Sequence, residues 1–563
     1  MSPPEASPRA PASRNRGAWY VGLGILVSKI VGLARTMVFA RYLGTSNAAG
    51  AYWFAFRIPN TLQNLFGEGV LSASFIPVYS SLLAKGEKRE ADKVANAVFG
   101  MVLLTTSVMV ALGVLFSDRL VSTLASSEGF SDQTRALATV LVRLMFPGAG
   151  LMVGSAWCLG VLNSHRRFFL SYASPVVWNL AQIAALLYFG RYRAGTDAAG
   201  AQAEAQLTVY LSYGMVVGSL LQFLAQLPTV LSLLGSFRPS LSLASESVRK
   251  VYRALGPVMV SRGVVQLSAY VDMYFITRIG EQAVAVLGYA QQLSLLPISL
   301  FGMAVSASEL PEMSSVTGST EEIAQKLRVR INSGLGRIAF FVVPSVAAFL
   351  FLGDVVSGAL FQRGHFGPNS SRYAWYVLMG STLGLLAQTF GRLYSSAFYA
   401  LKDTRTPFYF ALIRVLLTAA LAYVSVMYLP TLVHGPKLVG AVGVTATTGM
   451  VAWLEFALLR RSLGQRIGST GFPLPRLLRL WTAAALAGGA GLLIKGALVR
   501  HFGPAPSLST FPGGTVLPAP HLSGLLVGLL VLVPFGLLYF AVAQVLGVSE
   551  LAPYLGRLRK RRG

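Results

Sequence analysis

The chain has 563 residues, of which 54% are hydrophobic and only 12% carry a charge. Soluble globular domains carry roughly 25% charged residues, so this composition excludes an ordinary soluble domain and indicates an integral membrane protein. The net charge of +26 could indicate a nucleic-acid partner. However, nucleic-acid binding would require a basic face on a folded domain, and no loop between the apolar stretches is long enough to form one. We therefore expect that the protein does not bind nucleic acid.

About fourteen apolar stretches are long enough to cross a bilayer, which requires roughly 20 apolar residues for each helix. The strands of a membrane barrel would instead alternate apolar and polar residues over about ten positions. The sequence therefore predicts an all-α polytopic membrane protein with spans near residues 19–41, 50–80, 96–117, 137–160, 168–190, 206–234, 252–279, 284–311, 336–361, 373–400, 407–429, 438–459, 478–499 and 522–547.

The ends of the chain are basic. Residues 1–18, rich in Pro and Arg, are predicted to form a disordered cytoplasmic tail, and residues 548–563 a basic cytoplasmic tail. The other Lys and Arg residues outside the spans lie mostly in every second loop, on the side that holds both tails. The positive-inside rule places this side in the cytoplasm. Its basic loops are expected to attract anionic lipid headgroups.

One short motif occurs twice, in predicted spans two and eight. The copies are Leu65-Phe66-Gly67 with Ser72-Ala73-Ser74 and Pro77, and Leu300-Phe301-Gly302 with Ser306-Ala307-Ser308 and Pro311. Repeats carrying Gly and Pro within hydrophobic segments are typical of transporters whose broken helices border a cavity. Six helices separate the copies, which predicts two pseudo-symmetric six-helix lobes with a central cavity between them. We assign residues 19–234 to the N-lobe, 252–459 to the C-lobe and 478–547 to two additional helices.

Several cations lie inside the predicted spans, where each costs at least about 2.5–3.5 kcal/mol near a helix centre. Lys29, Arg35, Arg57 and Arg262 are the candidates for a cluster in the cavity, and Arg262 follows Ser261 as Lys29 follows Ser28. Clustered cations indicate an anionic substrate, and arginine favours phosphate because its guanidinium donates two hydrogen bonds at once. The alternative is that these side chains extend to the interface or form structural pairs, and Arg414 fits it best.

Fewer acidic residues lie in the spans. Glu68 follows Arg57 by about three helical turns, and we assign it to the same site, where it would neutralise an arginine or accept a proton. For Asp272 the residues leave two interpretations open, coupling to a cation or proton and a structural ion pair.

The sequence resembles the MurJ (MviN) family, the lipid II flippases of peptidoglycan synthesis. The resemblance covers roughly residues 20–480 and depends on these motifs: Gly32-Leu33-Ala34-Arg35, Ala55-Phe56-Arg57-Ile58-Pro59-Asn60, Leu65-Phe66-Gly67-Glu68-Gly69, Phe146-Pro147, Arg363-Gly364 and Phe398-Tyr399-Ala400-Leu401-Lys402-Asp403-Thr404-Arg405-Thr406-Pro407. It implies the multidrug/oligosaccharidyl-lipid/polysaccharide exporter fold, in which helices 13 and 14 form a groove for the lipid tail. It also implies a monovalent cation site in the second lobe, which assigns Asp272 and Asp403 as ligands.

The chain departs from the family pattern at several positions. Arg35 matches an arginine usual in helix 1, whereas the arginines usual in helices 2 and 8 are replaced by Gln63 and Gln292. Acidic residues usual near the helix 1 arginine and the start of helix 2 are replaced by Thr36 and Gly50. Arg57 and Arg262 could supply the lost charge, or the substrate could be another polyprenyl-diphosphate-linked saccharide.

The sequence thus predicts a flippase of the bacterial inner membrane that moves lipid II to the outer leaflet by alternating access. We expect a monomer without a cofactor, driven by a monovalent cation or by the membrane potential. A drug/cation antiporter of the same fold would favour acidic cavity residues. A polyprenyl-dependent glycosyltransferase would require a carboxylate near a substantial outer loop. A scaffold protein without transport activity would recruit partners of envelope synthesis through its basic cytoplasmic loops. These alternatives remain open at this point.

Overall fold

The computed structural model describes residues 12–191, 198–303, 319–401, 403–502 and 524–548, together with Val305, Ser306, Glu309 and Met313. These residues form helices and connecting turns, and none of the described residues forms a strand. Eleven of the described helical segments are long and apolar enough to cross a membrane. Most of the predicted tails and the loop between the last two spans lie outside the described residues, although the first helix already begins at Ala12.

The described residues form two compact units. The first unit takes its residues from Met1–Phe39, Ala51–Thr123 and Gln133–Gln266. The helices that lie wholly or mostly in it are α1 (Ala12–Leu43), α2 (Asn47–Phe66), α3 (Glu68–Ala84), α4 (Lys88–Leu115), α5 (Ser117–Leu124), α6 (Asp132–Ser164), α7 (Phe168–Ala173), α8 (Pro175–Gly190), α9 (Ala198–Leu233) and α10 (Glu246–Thr277). Its core includes Trp157, which is fully buried and donates Nε1–H to the Ala95 carbonyl at 3.1 Å.

The second unit comprises Leu267–Gly563 with two short segments from earlier in the chain, Ala40–Gly50 and Leu124–Asp132. Its helices are α11 (Glu281–Pro297), a π-helical segment (Ile298–Met303), α12 (Thr320–Phe361), α13 (Pro368–Thr382), α14 (Leu385–Ala400), α15 (Arg405–Met427), α16 (Leu429–Leu432), α17 (Val439–Ile467), α18 (Leu474–Phe502) and α19 (Gly524–Val545). Both early segments are hydrogen-bonded to the rest of this unit: the Tyr289 hydroxyl donates to the Gly44 carbonyl at 2.6 Å, and the Ser126 N–H donates to the Thr277 hydroxyl at 3.1 Å.

The described parts of both copies of the duplicated motif lie where regular α-helical geometry changes. In the first copy, α2 ends at Phe66 and α3 begins at Glu68, with Gly67 in an extended conformation between them. A Cβ at position 67 would lie only 2.2 Å from the Gln63 carbonyl oxygen, so the break requires glycine. In the second copy, Leu300-Phe301-Gly302 lies in the π-helical segment that follows Pro297, and Ala307, Ser308 and Pro311 lie outside the described residues. The prediction that the motif marks broken or bent helices is therefore confirmed for the first copy, and the described part of the second copy shows a change to π-helical geometry.

Breaks account for two of the three predicted spans that are absent from the eleven continuous ones. The second span is divided into α2 and α3, and the tenth is divided into α13 and α14 around Leu383 and Gly384. The seventh corresponds to α10, whose first turns carry several charged residues. The described helices are therefore consistent with fourteen crossings. The lobe boundaries at 234 and 252 remain predictions.

The two additional helices, α18 and α19, contact each other and α12. Tyr539 on α19 is fully buried and its hydroxyl donates to the Phe340 carbonyl at 2.7 Å. Lys495 on α18 forms an ion pair with Asp354 on α12, and both residues are almost completely buried. An ionic contact and a hydrogen bond thus attach the α18–α19 pair to α12 near both ends of the shared surface.

Candidate anion-binding site

Arg35 on α1 lies among side chains of α2 and α8 in the first unit. Its Nη1 donates to Gln182 Oε1 at 3.3 Å, and its Cζ lies 4.9 Å from the centre of the Trp178 ring. The Tyr52 hydroxyl donates to the same Gln182 oxygen at 3.2 Å. A desolvated cation over an indole ring gains about 2 kcal/mol. These contacts offset part of the cost of keeping a guanidinium inside the membrane domain.

The sequence around Arg35 explains its position. One residue later the Thr36 hydroxyl donates to the Gly32 carbonyl, which satisfies its hydrogen bond within α1. The rings of Phe39 and Tyr52 lie 5.0 Å apart, and they hold α1 against α2. Gln182, at 1% exposure, presents a neutral acceptor within the otherwise apolar helix α8.

A small cavity adjoins Arg35 and is bordered by Thr36, Phe39, Tyr52 and Gln182, among others. Its volume is about 10 Å³, which is room for at most one water molecule. A diphosphate does not fit into this space. Anion binding at Arg35 therefore requires a conformation in which the guanidinium faces a wider cavity.

The other predicted cations have different surroundings. Lys29 lies on α1 and is exposed, and Arg57 lies on α2 and is half-buried. The Arg57 carbonyl accepts a hydrogen bond from the Thr61 hydroxyl at 3.1 Å. The side chains of Arg262 and Glu68 lie outside the described residues. The assignment of these residues to one site with Arg35 remains a prediction.

Three neighbours of Arg35 were not predicted as site residues: Tyr52, Trp178 and Gln182. A signal existed for two of them, because Trp178 and Gln182 are four residues apart in an apolar span and therefore share one helical face. Gln63 and Gln292, at the positions where the family resemblance implies arginine, are both half-buried.

Asp272 and Asp403, the predicted cation ligands, have different environments. Asp272 on α10 is half-buried, and its Oδ1 accepts from the Thr448 hydroxyl of α17 at 3.1 Å. A carboxylate beside a hydroxyl suits a monovalent cation chemically. No group of three or more His, Cys, Asp or Glu side chains arranged for a metal ion occurs among the described residues.

Asp403 precedes α15 and fixes its first turn. Its Oδ1 accepts from the backbone N–H groups of Arg405 and Thr406, and its Oδ2 accepts from the Thr406 hydroxyl and contacts Arg466 at 2.7 Å. Burial alone would raise the pKa of Asp403, but the hydrogen bonds from Thr406 and Arg466 lower it to about 2. These contacts describe a helix cap, and the cation role of Asp403 remains a prediction.

Arg414 pairs with a carboxylate within the second unit. Its Nη1 lies 3.0 Å from Glu455 Oε2, and both side chains are largely buried. This contact agrees with the interpretation that Arg414 forms a structural pair. It also provides a contrast with Arg35, whose contacts in the structure are with neutral side chains.

Comparison with known proteins identifies relatives along most of the chain. A sequence model of the family described as Lipid II flippase MurJ matches residues 39–511. The chain is 28% identical over 477 residues to the lipid II flippase MurJ of Burkholderia cenocepacia, which covers 84% of this chain and 87% of that protein. It is 29% identical over 541 residues to the probable lipid II flippase MurJ of Rhizobium meliloti, which covers 94% of each chain.

Solved structures share the fold. A lipid II flippase MurJ in an inward closed conformation has a TM-score of 0.71 at 22% identity, covering 93% of this chain and 98% of that one. An inward-facing multidrug resistance MATE family transporter of the MOP superfamily has a TM-score of 0.59 at 19% identity, covering 80% of this chain and 99% of that one. The predicted fold class and the family resemblance are both confirmed.

Proposed function

Because the chain belongs to the MurJ family of lipid II flippases, we propose that it moves lipid II from the cytoplasmic to the outer leaflet of the bacterial inner membrane. Lipid II is a peptidoglycan precursor linked to a polyprenyl diphosphate. Both termini of the chain lie in the cytoplasm in this proposal, as the distribution of Lys and Arg indicates. A single copy carries the lipid, and no covalent bond is made or broken.

The observation that carries this proposal is the set of neutral partners around Arg35. The guanidinium contacts an amide oxygen and an indole ring, whereas Arg414, Arg337 and Lys495 each contact a carboxylate. A cation without a carboxylate partner keeps its full charge for an incoming anion. A diphosphate would replace Gln182 with a charge-assisted and bidentate hydrogen bond, which is roughly twice as strong as a neutral one.

The mechanism follows the alternating access of a two-lobed transporter. With the cavity open to the cytoplasm, Arg35, Arg57, Lys29 and Arg262 bind the diphosphate, and Glu68 balances their charge. The polyprenyl tail stays in lipid beside α18 and α19. Rocking of the lobes then exposes the headgroup at the outer face.

Two sources could drive the return of the empty carrier. The membrane potential acts on the positively charged cavity with about 2.3 kcal/mol per charge per 100 mV. A monovalent cation would instead be held by Asp272 with the Thr448 hydroxyl. Asp403, whose carboxylate already caps α15, is the weaker candidate ligand.

The test is rescue of bacterial cells that are depleted of their own lipid II flippase. We expect the wild-type chain to restore growth and the amount of lipid II at the outer surface, and Arg35→Ala to fail at equal protein level. Arg414→Ala controls for the loss of a membrane arginine outside the site, and any loss of protein in that variant is measured by immunoblot. Growth without restored outer lipid II would refute the proposal.

A second candidate is a flippase for another polyprenyl-diphosphate-linked saccharide. Gln63 and Gln292 favour it, since they leave fewer cations around the diphosphate than the family pattern implies. Failure to rescue lipid II export, together with export of a different lipid-linked saccharide, would select this candidate. A drug/cation antiporter of the same fold is less consistent with Arg35, because cationic substrates favour acidic sites.

A further inference from the structure

Two hydrogen-bond donors from different helices converge on one oxygen atom in the first unit. Arg35 of α1 donates Nη1–H to Gln182 Oε1 at 3.3 Å, and the Tyr52 hydroxyl of α2 donates to the same atom at 3.2 Å. Gln182 belongs to α8, so side chains of three helices meet at this atom. One cation and one neutral hydroxyl therefore share a single acceptor. The same two donors are suited to bind an anionic oxygen.

Aromatic neighbours hold the Tyr52 ring in place. Its centre lies 5.0 Å from that of Phe39 on α1 and 6.2 Å from that of Phe56, which follows one turn later on α2 and is nearly parallel to it. The Phe56 ring also lies 6.3 Å from that of Trp178, over which the Arg35 guanidinium is placed. Tyr52 is 4% exposed, and its hydrogen bond to Gln182 is buried. One aromatic cluster thus orients both donors toward the same oxygen.

Gln182 is held at this position only by long hydrogen bonds. The two that its Oε1 accepts measure 3.3 and 3.2 Å, and its Nε2 donates to the Trp178 carbonyl at 3.3 Å. Typical hydrogen bonds of these kinds are about 2.7–3.0 Å long. A phosphate oxygen would draw the guanidinium N–H to about 2.7–2.9 Å, because a bond between two charged groups is shorter and stronger. Gln182 is therefore an acceptor that an anion can replace.

No carboxylate competes for the two donors in the described part of the chain. Arg35 contacts Gln182 and the Trp178 ring there, and Tyr52 contacts Gln182 and aromatic rings. Among the described residues that line the small cavity beside them, none but Arg35 carries a charge. An anion that enters this cavity once it has widened would meet one cation, one hydroxyl donor and no opposing charge from these residues.

We propose that Tyr52 is a second binding residue for the transported diphosphate. In the wider conformation that anion binding requires, the Tyr52 hydroxyl and the Arg35 guanidinium donate to one phosphate oxygen, which takes the place of Gln182 Oε1. This inference rests on the proposed function. Tyrosine suits the task because its phenol donates a hydrogen bond without adding another charge inside the membrane. The two donors recognise an anionic oxygen, so they distinguish a polyprenyl diphosphate from a neutral lipid.

The test measures binding of undecaprenyl diphosphate, and of undecaprenol, which lacks phosphate, to the purified full-length protein in nanodiscs. Tyr52→Phe removes the hydroxyl and keeps the packed ring. Gln182→Ala removes the acceptor and leaves room for a water molecule, and the double variant Tyr52→Phe/Gln182→Ala completes the cycle. Gln182→Asn takes the place of Gln182→Ala if the alanine variant does not fold. Tyr394→Phe is the matched control, because Tyr394 is also buried and its hydroxyl bonds to that of Thr470 at 3.0 Å.

We expect Tyr52→Phe to weaken undecaprenyl diphosphate binding about tenfold, the loss of one hydrogen bond to a charged group. The same factor should separate the double variant from Gln182→Ala, because the hydroxyl contacts the phosphate itself. Gln182→Ala should bind at least as tightly as the wild type, since a competing acceptor is gone. Undecaprenol binding should change less than about twofold in every variant, and Tyr394→Phe should bind both lipids like the wild type.

Several results would overturn the proposal. Tyr52→Phe could bind undecaprenyl diphosphate normally, or it could lose undecaprenol equally. An effect of Tyr52→Phe that disappears in the Gln182→Ala background would show that Tyr52 acts only by positioning Gln182. Weaker binding by Gln182→Ala would show that Gln182 is not replaced. A folded wild type that binds no undecaprenyl diphosphate would show that these donors do not recognise the diphosphate.

The binding assay separates this inference from the proposed function. A wild-type chain that rescues lipid II export while Tyr52→Phe binds undecaprenyl diphosphate normally would remove the role of Tyr52 alone. A chain that binds undecaprenyl diphosphate through the Tyr52 hydroxyl but never restores export would keep the binding residue and remove the function.

Discussion

Arg35 contacts neutral partners, and in the proposed function these partners leave its charge available for the transported lipid. Gln182 is a weak acceptor for a guanidinium, so the contact stabilises the empty protein without neutralising the charge. A carboxylate at the same position would bind Arg35 more firmly and would compete with the diphosphate. Replacing Gln182 with a carboxylate should therefore raise the stability of the protein and weaken its binding of the diphosphate.

We expect Gln182→Glu to raise the melting temperature and to lower lipid II export at least about tenfold, because one bidentate contact to the ligand is lost. The measurements are thermal unfolding in detergent and outer-surface lipid II in depleted cells. Gln226→Glu is the control, since Gln226 is equally buried but bonds to Ser155 and Ser174, so a new carboxylate there should lower the melting temperature. Normal export by Gln182→Glu would contradict the role given to Arg35.

The contacts of Asp403 predict how the stability of the protein depends on pH. Its pKa is lowered from the usual 3.8 to about 2, so its carboxylate stabilises the fold fully above about pH 4 and this contribution is lost as the pH falls toward about 2. Asp403→Asn should therefore lower the melting temperature near neutral pH, and the difference from the wild type should shrink below about pH 4. Asp118→Asn, at an exposed first-turn position of α5, is the control. A difference that is constant down to about pH 2 would exclude the capping role.

The helices show which parts of the fold the sequence can predict. Hydrophobic run length predicted the spans that remain continuous, and the duplicated motif predicted the break in span two. The break between α13 and α14 was not predicted, because a run of ordinary small and apolar residues there does not differ from a straight helix. Around Arg35 the cation was predicted from its cost in lipid, but its partners come from other helices and depend on tertiary contacts.

The break at Gly67 can be tested directly. A Cβ at this position meets the Gln63 carbonyl oxygen, so Gly67→Ala must move the end of α2 and should abolish export while lowering the melting temperature. Gly256→Ala on α10 is the control, because a Cβ there has nothing within 4 Å and alanine favours a helix by about 0.5–1 kcal/mol. Wild-type export by Gly67→Ala would show that the break is not required.

The attachment of α18 to α12 offers a second test at the level of helices. Lys495→Met leaves Asp354 buried without its partner, and we expect a loss of about 3–5 kcal/mol in the free energy of unfolding. The double variant Lys495→Met/Asp354→Leu removes both charges and should recover most of this loss. Denaturant unfolding of the wild type and the two variants measures the difference. A double variant as unstable as the single one would show that the unpaired Asp354 carboxylate is not the cause of the loss.

At the scale of the whole molecule, the chain forms two compact units, and the second of them includes the α18–α19 pair. The fold is shared with flippases and with drug transporters, so the fold alone does not determine the substrate. What favours a lipid-linked anion in this chain is Arg35, whose partners within the first unit are neutral.

The most direct measurement is lipid II translocation in liposomes that contain the purified chain. Labelled lipid II is placed in one leaflet, and its appearance in the other is followed over time under an applied membrane potential. We predict translocation by the wild type and a loss of at least about tenfold in Arg35→Ala. The control is Arg328→Gln, which removes an arginine that pairs with Glu321 and should change translocation little. Equal translocation by the wild type and Arg35→Ala, or none by a folded wild type, would contradict the central claim.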